Sequence, residues 1–163
     1  MPDDENRIDE KWARYPCTIL EFAQPERLRI DLRRPLGAAE RATLASLGLD
    51  RPFAVLSAEN PMGENTDDKP SAAQRTASNR RNDLRRDELE AQLRTSGVEF
   101  QPCDGVAADG DYREKGVAVV LPREQAVMLA RRFGQLAIFW FDGRNFSLVG
   151  AVARNASEKL PKR

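Results

Sequence analysis

The sequence predicts a single α/β domain of the α+β type, a mixed β-sheet of about six or seven strands with three packed helices. Short apolar runs at residues 53–56, 116–121 and 136–141 have the length and composition of buried strands. Helical patterns separate these runs, and Asp142-Gly143 is a strong hairpin signal. A chain of 163 residues is long enough to bury a substantial core as one domain.

The first half of the domain begins with a predicted hairpin. Residues 15–22 form an apolar strand, and alternating apolar and charged residues at 28–33 indicate a second strand near a sheet edge. Residues 35–48 are predicted to form a short helix, which ends at a glycine before the strand at 53–56.

The second half alternates loops, helices and strands. In chain order we expect a long polar loop at 61–70, a long helix at 71–96, a strand at 98–100, a Gly/Asp-rich loop at 102–110, a central strand at 116–121, a helix at 122–134, a central strand at 136–141 and an antiparallel return strand at 145–149. Polar loops as long as 61–70 are, in compact domains, either functional or disordered.

Composition excludes several function classes. Basic and acidic residues number 26 each, which gives no global attraction to nucleic acid, and no histidine is present for catalysis or metal binding. No apolar run is long enough to span a membrane, and residues 1–11 do not resemble a secretory signal. We therefore expect a cytoplasmic domain at 12–152 with reduced Cys17 and Cys103, no metal, no cofactor, and a disordered basic tail at 153–163 after the equally disordered acidic tail at 1–11.

A candidate site follows the strand at 53–56. The apolar strand leads directly into Ser57, Glu59 and Asn60, which supply a hydroxyl, a carboxylate and an amide. Polar residues at the carboxyl end of a buried strand are typical of a binding site. The alternative is an ordinary surface loop in which these side chains cap the backbone.

The long helix offers polar groups on its inner side. Leu89 and Leu93 define the core-facing line, and steps of three or four residues toward the amino end give Arg86, Asn82 and Asn79. These three side chains would form one wall of a pocket. The alternative is that the first turns overhang the sheet and remain in water.

Two further positions lie at the ends of central strands. Glu114 precedes one strand and is the best candidate for a general base, with Asp111 second; the alternative is a surface carboxylate paired with Arg113 or Lys115. Gln135 begins the other strand and could bind a ligand through its amide, or only hold backbone at the sheet rim.

Together these positions predict a polar small-molecule or nucleotide-like ligand at the carboxyl end of the strand at 53–57. The ligand-binding candidates are Ser57, Glu59, Asn60, Asn79, Asn82, Arg86 and Gln135. The alternative is a protein–protein interaction module without catalysis, which would use the arginine-rich helix or an exposed sheet edge. Whether the protein is an enzyme is left open.

Four segments resemble a known family: FAVLSAENP, SNRRNDLRRDELEAQL, REKGVAVVLP and RRFGQLAIFWFDG. Over roughly residues 15–150 the chain is similar to the bacterial domain-of-unknown-function family 3293, although Glu59 stands where the family pattern has an aromatic residue. The resemblance implies a small cytoplasmic α/β domain and carries no established reaction.

Overall fold

The computed structural model describes residues 2–23, 27–63 and 69–163. Its four α-helices, within these ranges, are α1 (Pro2–Trp12), α2 (Ala38–Ser46), α3 (Ala72–Thr95) and α4 (Arg123–Arg132). Its strands are β1 (Thr18–Phe22), β2 (Leu28–Asp31), β3 (Phe53–Ser57), β4 (Phe100–Pro102), β5 (Asp104–Ala107), β6 (Arg113–Glu114), β7 (Gly116–Val119), β8 (Ala137–Phe141), β9 (Phe146–Gly150) and β10 (Glu158–Leu160).

These strands form two sheets. The first has the order β2-β1-β5-β6, the second has the order β10-β9-β8-β3-β7-β4, and each strand pair described is antiparallel. The α+β single-domain class is confirmed. The predicted mixed sheet is corrected in two respects: the strands are divided between two sheets, and direct neighbours run in opposite directions.

The six-stranded sheet contains two interleaved split β-α-β units. Strands β3 and β4 run in the same direction and are joined through α3, but β7 lies between them. Strands β7 and β8 are likewise joined through α4, with β3 between them. Helix crossovers between parallel strands are therefore present, as the alternation of strands and helices indicated, while each intervening strand makes the pairing antiparallel.

Different layers cover the two faces of the six-stranded sheet. One face packs against α3 and α4, where Leu89 and Ala130 are buried. The other face packs against the four-stranded sheet, α1 and α2, where Leu20, Trp12 and Leu44 are buried. Strand β3 contributes to both cores, and this explains its uninterrupted apolar sequence.

Burial of the central strands agrees with the sequence. Apolar residues on both faces of β3, β7 and β8 were expected to be almost fully buried. The exposed fractions are 0% for Phe53, 5% for Val55, 0% for Val119, 1% for Ile138 and 9% for Phe139, which confirms that expectation.

Both terminal segments contain regular structure where disordered tails were predicted. Residues 2–12 form α1, whose Trp12 is buried and donates a hydrogen bond from Nε1 to Glu158 Oε1 at 3.0 Å. Strand β10 pairs with β9 and buries Leu160. The tail predictions at 1–11 and 153–163 are corrected because Ile8 and Leu160 pack against the core, contacts that average composition does not reveal.

Smaller differences concern the loops. The predicted loop at 102–110 contains β5, and the start of the predicted strand at 15–22 is a turn of 3-10 helix, Tyr15–Cys17. The predicted opening hairpin is present as β1 and β2, with β2 at a sheet edge. Much of the polar loop at 61–70 lies outside the described residues.

Helix α3 begins and ends at recognisable signals. Ser71 Oγ accepts from the backbone N–H of Gln74 at 3.2 Å, while Gln74 Oε1 accepts from the backbone N–H of Ser71 at 2.8 Å. Together these two bonds form a capping box. Gly97, with φ of 66°, follows its carboxyl end. Within the described ranges, neither α3 nor another helix has the length and apolar character needed to cross a membrane.

The burial of β8 generates a stability prediction. Replacing Ile138 with alanine removes a side chain that is 1% exposed, so the free energy of unfolding should fall by about 2–5 kcal/mol. Met128→Ala, at a position that is 67% exposed, is the control and should change it by less than about 0.5 kcal/mol. Urea denaturation measures both, and an unchanged midpoint for Ile138→Ala contradicts the packing described.

Candidate functional site

The carboxyl group of Glu114 lies on the inward side of the four-stranded sheet, at its edge. Glu114 in β6 is paired with Gly105 in β5, which in turn is paired with Leu20 in β1. Residues directly opposite one another in adjacent strands share a face, and Leu20 is fully buried. Strand pairing therefore directs the Glu114 side chain toward the junction of the two sheets.

A short chain of hydrogen bonds runs from this carboxyl group to the turn that follows β3. The Tyr112 hydroxyl donates to Glu114 Oε2 at 2.6 Å and accepts from Asn60 Nδ2 at 2.7 Å. Burial raises the pKa of Glu114 to about 7, although the hydrogen bond from Tyr112 opposes the shift. Burial, with the nearby Glu114 carboxylate, also raises the pKa of Tyr112 and of Tyr15. Tyr112 is therefore a neutral phenol beside a carboxyl whose pKa lies near neutral.

Two asparagines join the end of β3 to α3. Asn82 Oδ1 accepts from the backbone N–H of Asn60 at 3.0 Å, and Asn82 Nδ2 donates to Asn60 Oδ1 at 2.9 Å. Both residues are buried, and Asn60 has a φ of 45°, a left-handed conformation that asparagine tolerates better than most residues. The reciprocal amide pair holds the chain in this turn.

Glu59 is a buried carboxylate with two identified donors. Its Oε1 accepts from Arg86 Nη1 at 3.2 Å, and its Oε2 accepts from the backbone N–H of Lys115, also at 3.2 Å. Burial raises the pKa of Glu59, while the Lys115 N–H and the Arg86 guanidinium partly offset that rise. Arg86 also donates to Asp83 at 2.9 Å, so its guanidinium bridges two carboxylates.

Ser57 and Gln135 anchor the backbone around Glu59. Ser57 Oγ donates to the Lys115 carbonyl at 2.7 Å and accepts from the Glu59 amide at 2.9 Å. Gln135 Nε2 donates to the Glu59 carbonyl at 2.8 Å. These bonds connect the end of β3 to the β6–β7 link and to the start of β8.

Close packing against Gly134 supports the same turn. The backbone N–H of Met62 donates to the Gly134 carbonyl at 2.8 Å, and Gly134 has a φ of 67°. A Cβ atom at Gly134 would lie 2.8 Å from the Cβ of Pro61, so a larger residue would displace the loop.

Most of the sequence-predicted residues come together. Ser57, Glu59, Asn60, Asn82, Arg86, Glu114 and Gln135 belong to one connected cluster, hereafter the polar cluster, which also includes Tyr112. Its members come from β3, the turn that follows β3, α3, β6 and the segments that precede β6 and β8. Their side chains are engaged largely with one another and with backbone, so the capping alternative describes part of their role.

Asn79 does not belong to the polar cluster. It is exposed, whereas Ser78 is buried, so the inner stripe continues from Asn82 by a step of four residues rather than three. The prediction for Asn79 is corrected because each residue turns an α-helix by about 100°: Ser78 lies within about 20° of the Leu89 direction, whereas Asn79 is rotated about 80° from it. Asp111, the second general-base candidate, is also exposed.

The sequence interpretation missed Tyr112 and Lys11. Tyr112 precedes Glu114 by two residues, which is the spacing of side chains on one face of a strand, so this pattern could have identified it. Lys11 is only 8% exposed, and its Nζ donates to the Met62 carbonyl at 3.4 Å. It lies in the segment predicted to be a tail, where no sequence signal pointed to the site.

Other chemistry is limited in the described part of the chain. No group of three or more cysteine, aspartate or glutamate side chains there is arranged to hold a metal ion. Cys17 is an exposed free thiol and Cys103 a buried one. The polar cluster can therefore offer hydroxyl, amide, guanidinium and carboxyl groups to a partner molecule.

The raised pKa of Glu114 generates a pH prediction. A group whose pKa is higher in the folded state stabilises the fold below its unfolded pKa of about 4.5, and this contribution is lost as the pH rises through about 7. Between pH 5 and 8 the free energy of unfolding should therefore decrease, by on the order of 2–3 kcal/mol. Urea denaturation of Glu114→Gln should show a flatter profile, with a remaining slope from Glu59, while Asp111→Asn should follow the wild type. Identical slopes for Glu114→Gln and wild type would contradict the burial of this carboxyl.

The two neighbouring asparagines of α3 provide a matched pair. Asn82→Ala removes the acceptor of the buried backbone N–H of Asn60 and should lower the free energy of unfolding by about 1–3 kcal/mol. Asn79→Ala removes an exposed amide and should change it by less than about 0.5 kcal/mol. Equal effects in thermal or urea denaturation would show that the amide pair does not hold the turn.

Comparison with known proteins identifies the family. A family model described as "Protein of unknown function (DUF3293)" matches residues 56–138. Nothing among the curated proteins or the solved structures matches the chain. The matched segment extends from the end of β3 into β8, so it contains the whole polar cluster and slightly more than half of the 163 residues. The chain belongs to the DUF3293 family of proteins of unknown function.

Proposed function

We propose that the polar cluster binds a polar small molecule or nucleotide-like ligand and that Glu114 exchanges a proton with it. The observation that carries this proposal is an inward-facing carboxyl with a pKa of about 7, held by Tyr112 where the two sheets meet. A carboxyl that is protonated in part of the molecules at neutral pH can serve as both a proton donor and a proton acceptor.

The energetic cost of this arrangement supports a functional role. A glutamate with a raised pKa destabilises the fold at neutral pH, whereas glutamine would accept the same Tyr112 hydrogen bond without ionising. Carboxyl groups placed at such a cost are concentrated at functional sites. A purely structural role does not require an ionisable group at Glu114.

Two sets of residues can be distinguished within the cluster. Asn60, Asn82 and Gln135 are buried and are positioning residues in this proposal, because their amides already bond to each other or to backbone. Ser57 and Glu114 are partly exposed, and the Arg86 side chain retains 23% exposure. The ligand would contact this second set, in which a guanidinium favours a phosphate or carboxylate group.

A ligand screen tests the proposal. Native mass spectrometry of the purified protein would detect a retained metabolite, and NMR titration with nucleosides, nucleotides, sugar phosphates and amino acids would detect weaker ligands. A ligand should perturb the signals of Ser57, Arg86 and Glu114, and Glu114→Gln should weaken its binding by at least about tenfold. Asp111→Asn, a nearby exposed carboxylate, is the control and should bind normally. Failure of the whole panel to perturb these residues, or binding that Glu114→Gln leaves unchanged, would reject the proposal.

A second candidate function is a protein–protein interaction module. The observation that favours it is the outer face of α3, which is exposed along its length and presents Leu84 at 63% exposure. The sheet edges favour it less, since the edge strands β2, β4, β6 and β10 have four, three, two and three residues, and short edge strands resist pairing.

A further inference from the structure

The outer face of α3 has an apolar centre. Leu84 lies at the middle of the helix, and Ala77 and Ala91 lie seven residues to either side, which places all three on one line along the helix. All three are exposed, and this line is opposite the buried residues that pack on the sheet. A large exposed leucine flanked by two alanines allows another helix to approach closely.

Basic residues precede this apolar centre along the helix, and acidic residues follow it. Arg80 and Arg81 precede Leu84 by four and three residues, whereas Asp87 and Glu88 follow it by three and four. All four charged side chains are exposed, and none forms a hydrogen bond or ion pair with another residue of the described ranges. The amino-terminal half of the face is therefore basic and the carboxyl-terminal half acidic.

The charge pattern of this face is complementary to the same face of a second copy when the two helices run antiparallel. Rotation by a two-fold axis through Leu84 places Arg80 opposite Glu88 of the partner subunit and Arg81 opposite Asp87 of the partner subunit. The same rotation brings Ala77 against Ala91 of the partner subunit. In a parallel arrangement, by contrast, like charges would face each other.

We infer that the outer face of α3 binds α3 of a second copy of this chain in an antiparallel, two-fold symmetric dimer. A two-fold interface requires one surface that is complementary to itself, and the order of charges about Leu84 satisfies this requirement. Nucleic acid would be repelled by Asp87 and Glu88, which makes it a poorer occupant. The dimer uses the opposite side of α3 from Asn82, so it does not depend on the proposed ligand site.

The geometry also indicates the strength of association. Helix α3 has 24 residues and is about 36 Å long, so two such helices in contact bury a narrow strip at the small end of protein interfaces. Exposed ion pairs at its rim are screened by salt. The dimer should therefore be concentration-dependent and weaker at high ionic strength.

Sedimentation velocity across the micromolar concentration range tests this dimer. Arg80→Glu with Arg81→Asp makes the whole face acidic, and Asp87→Arg with Glu88→Arg makes it basic; each double variant should dimerise at least about tenfold more weakly. The four substitutions together reverse the order of charges and should restore dimerisation. Mixing the two double variants should produce a heterodimer.

Controls separate these effects from changes in folding or net charge. Arg123→Glu with Arg132→Glu, two exposed positions on α4, changes the net charge as much as the acidic double variant and should dimerise like the wild type. Circular dichroism should report unchanged helix content in each variant. A wild-type protein that stays monomeric, a dimer that neither double variant weakens, or a folded four-substitution variant that stays monomeric would each overturn the inference.

Discussion

The hydrogen-bonded amide pair of Asn60 and Asn82 is the contact on which the rest of the architecture depends. It joins the end of a central strand to the inner face of α3, and the Asn60 amide also donates to Tyr112. A single buried residue thus links β3, α3 and the segment leading into β6. Because Asn60 has a left-handed backbone conformation, the same contact sets the direction in which the chain leaves the strand.

Two carboxyl groups near this pair, the buried Glu59 and the partly exposed Glu114, have different surroundings. Burial raises the pKa of both, and the charge of Glu59 contributes to the rise at Glu114. Glu59 receives the guanidinium of Arg86 and a backbone N–H, whereas Glu114 has hydroxyl neighbours and no identified cationic partner among the described residues. The partners of Glu59 favour its ionised form and hold the turn, whereas Glu114 has the role of proton exchange in our proposal.

Helix α3 contributes side chains to two different surfaces. Its inner side supplies Asn82 and Arg86 to the polar cluster and Leu89 and Leu93 to the core. Its outer side has the charge order proposed to pair with a second copy. Since the two sides point in opposite directions, substitutions on one should leave the other unchanged, and each proposal can be tested alone.

Residue patterns within single segments predicted much of this structure from the sequence alone. Apolar runs identified the central strands, the helical pattern at 71–96 identified α3, and the polar residues after β3 identified most of the cluster. Only the tertiary structure decided the antiparallel order of the two sheets, the docking of both terminal segments, and the inclusion of Tyr112 and Ser78 in place of Asn79 among the inward residues. Strand direction and helix rotation depend on contacts between residues distant in sequence, and a pattern read within one segment does not contain them.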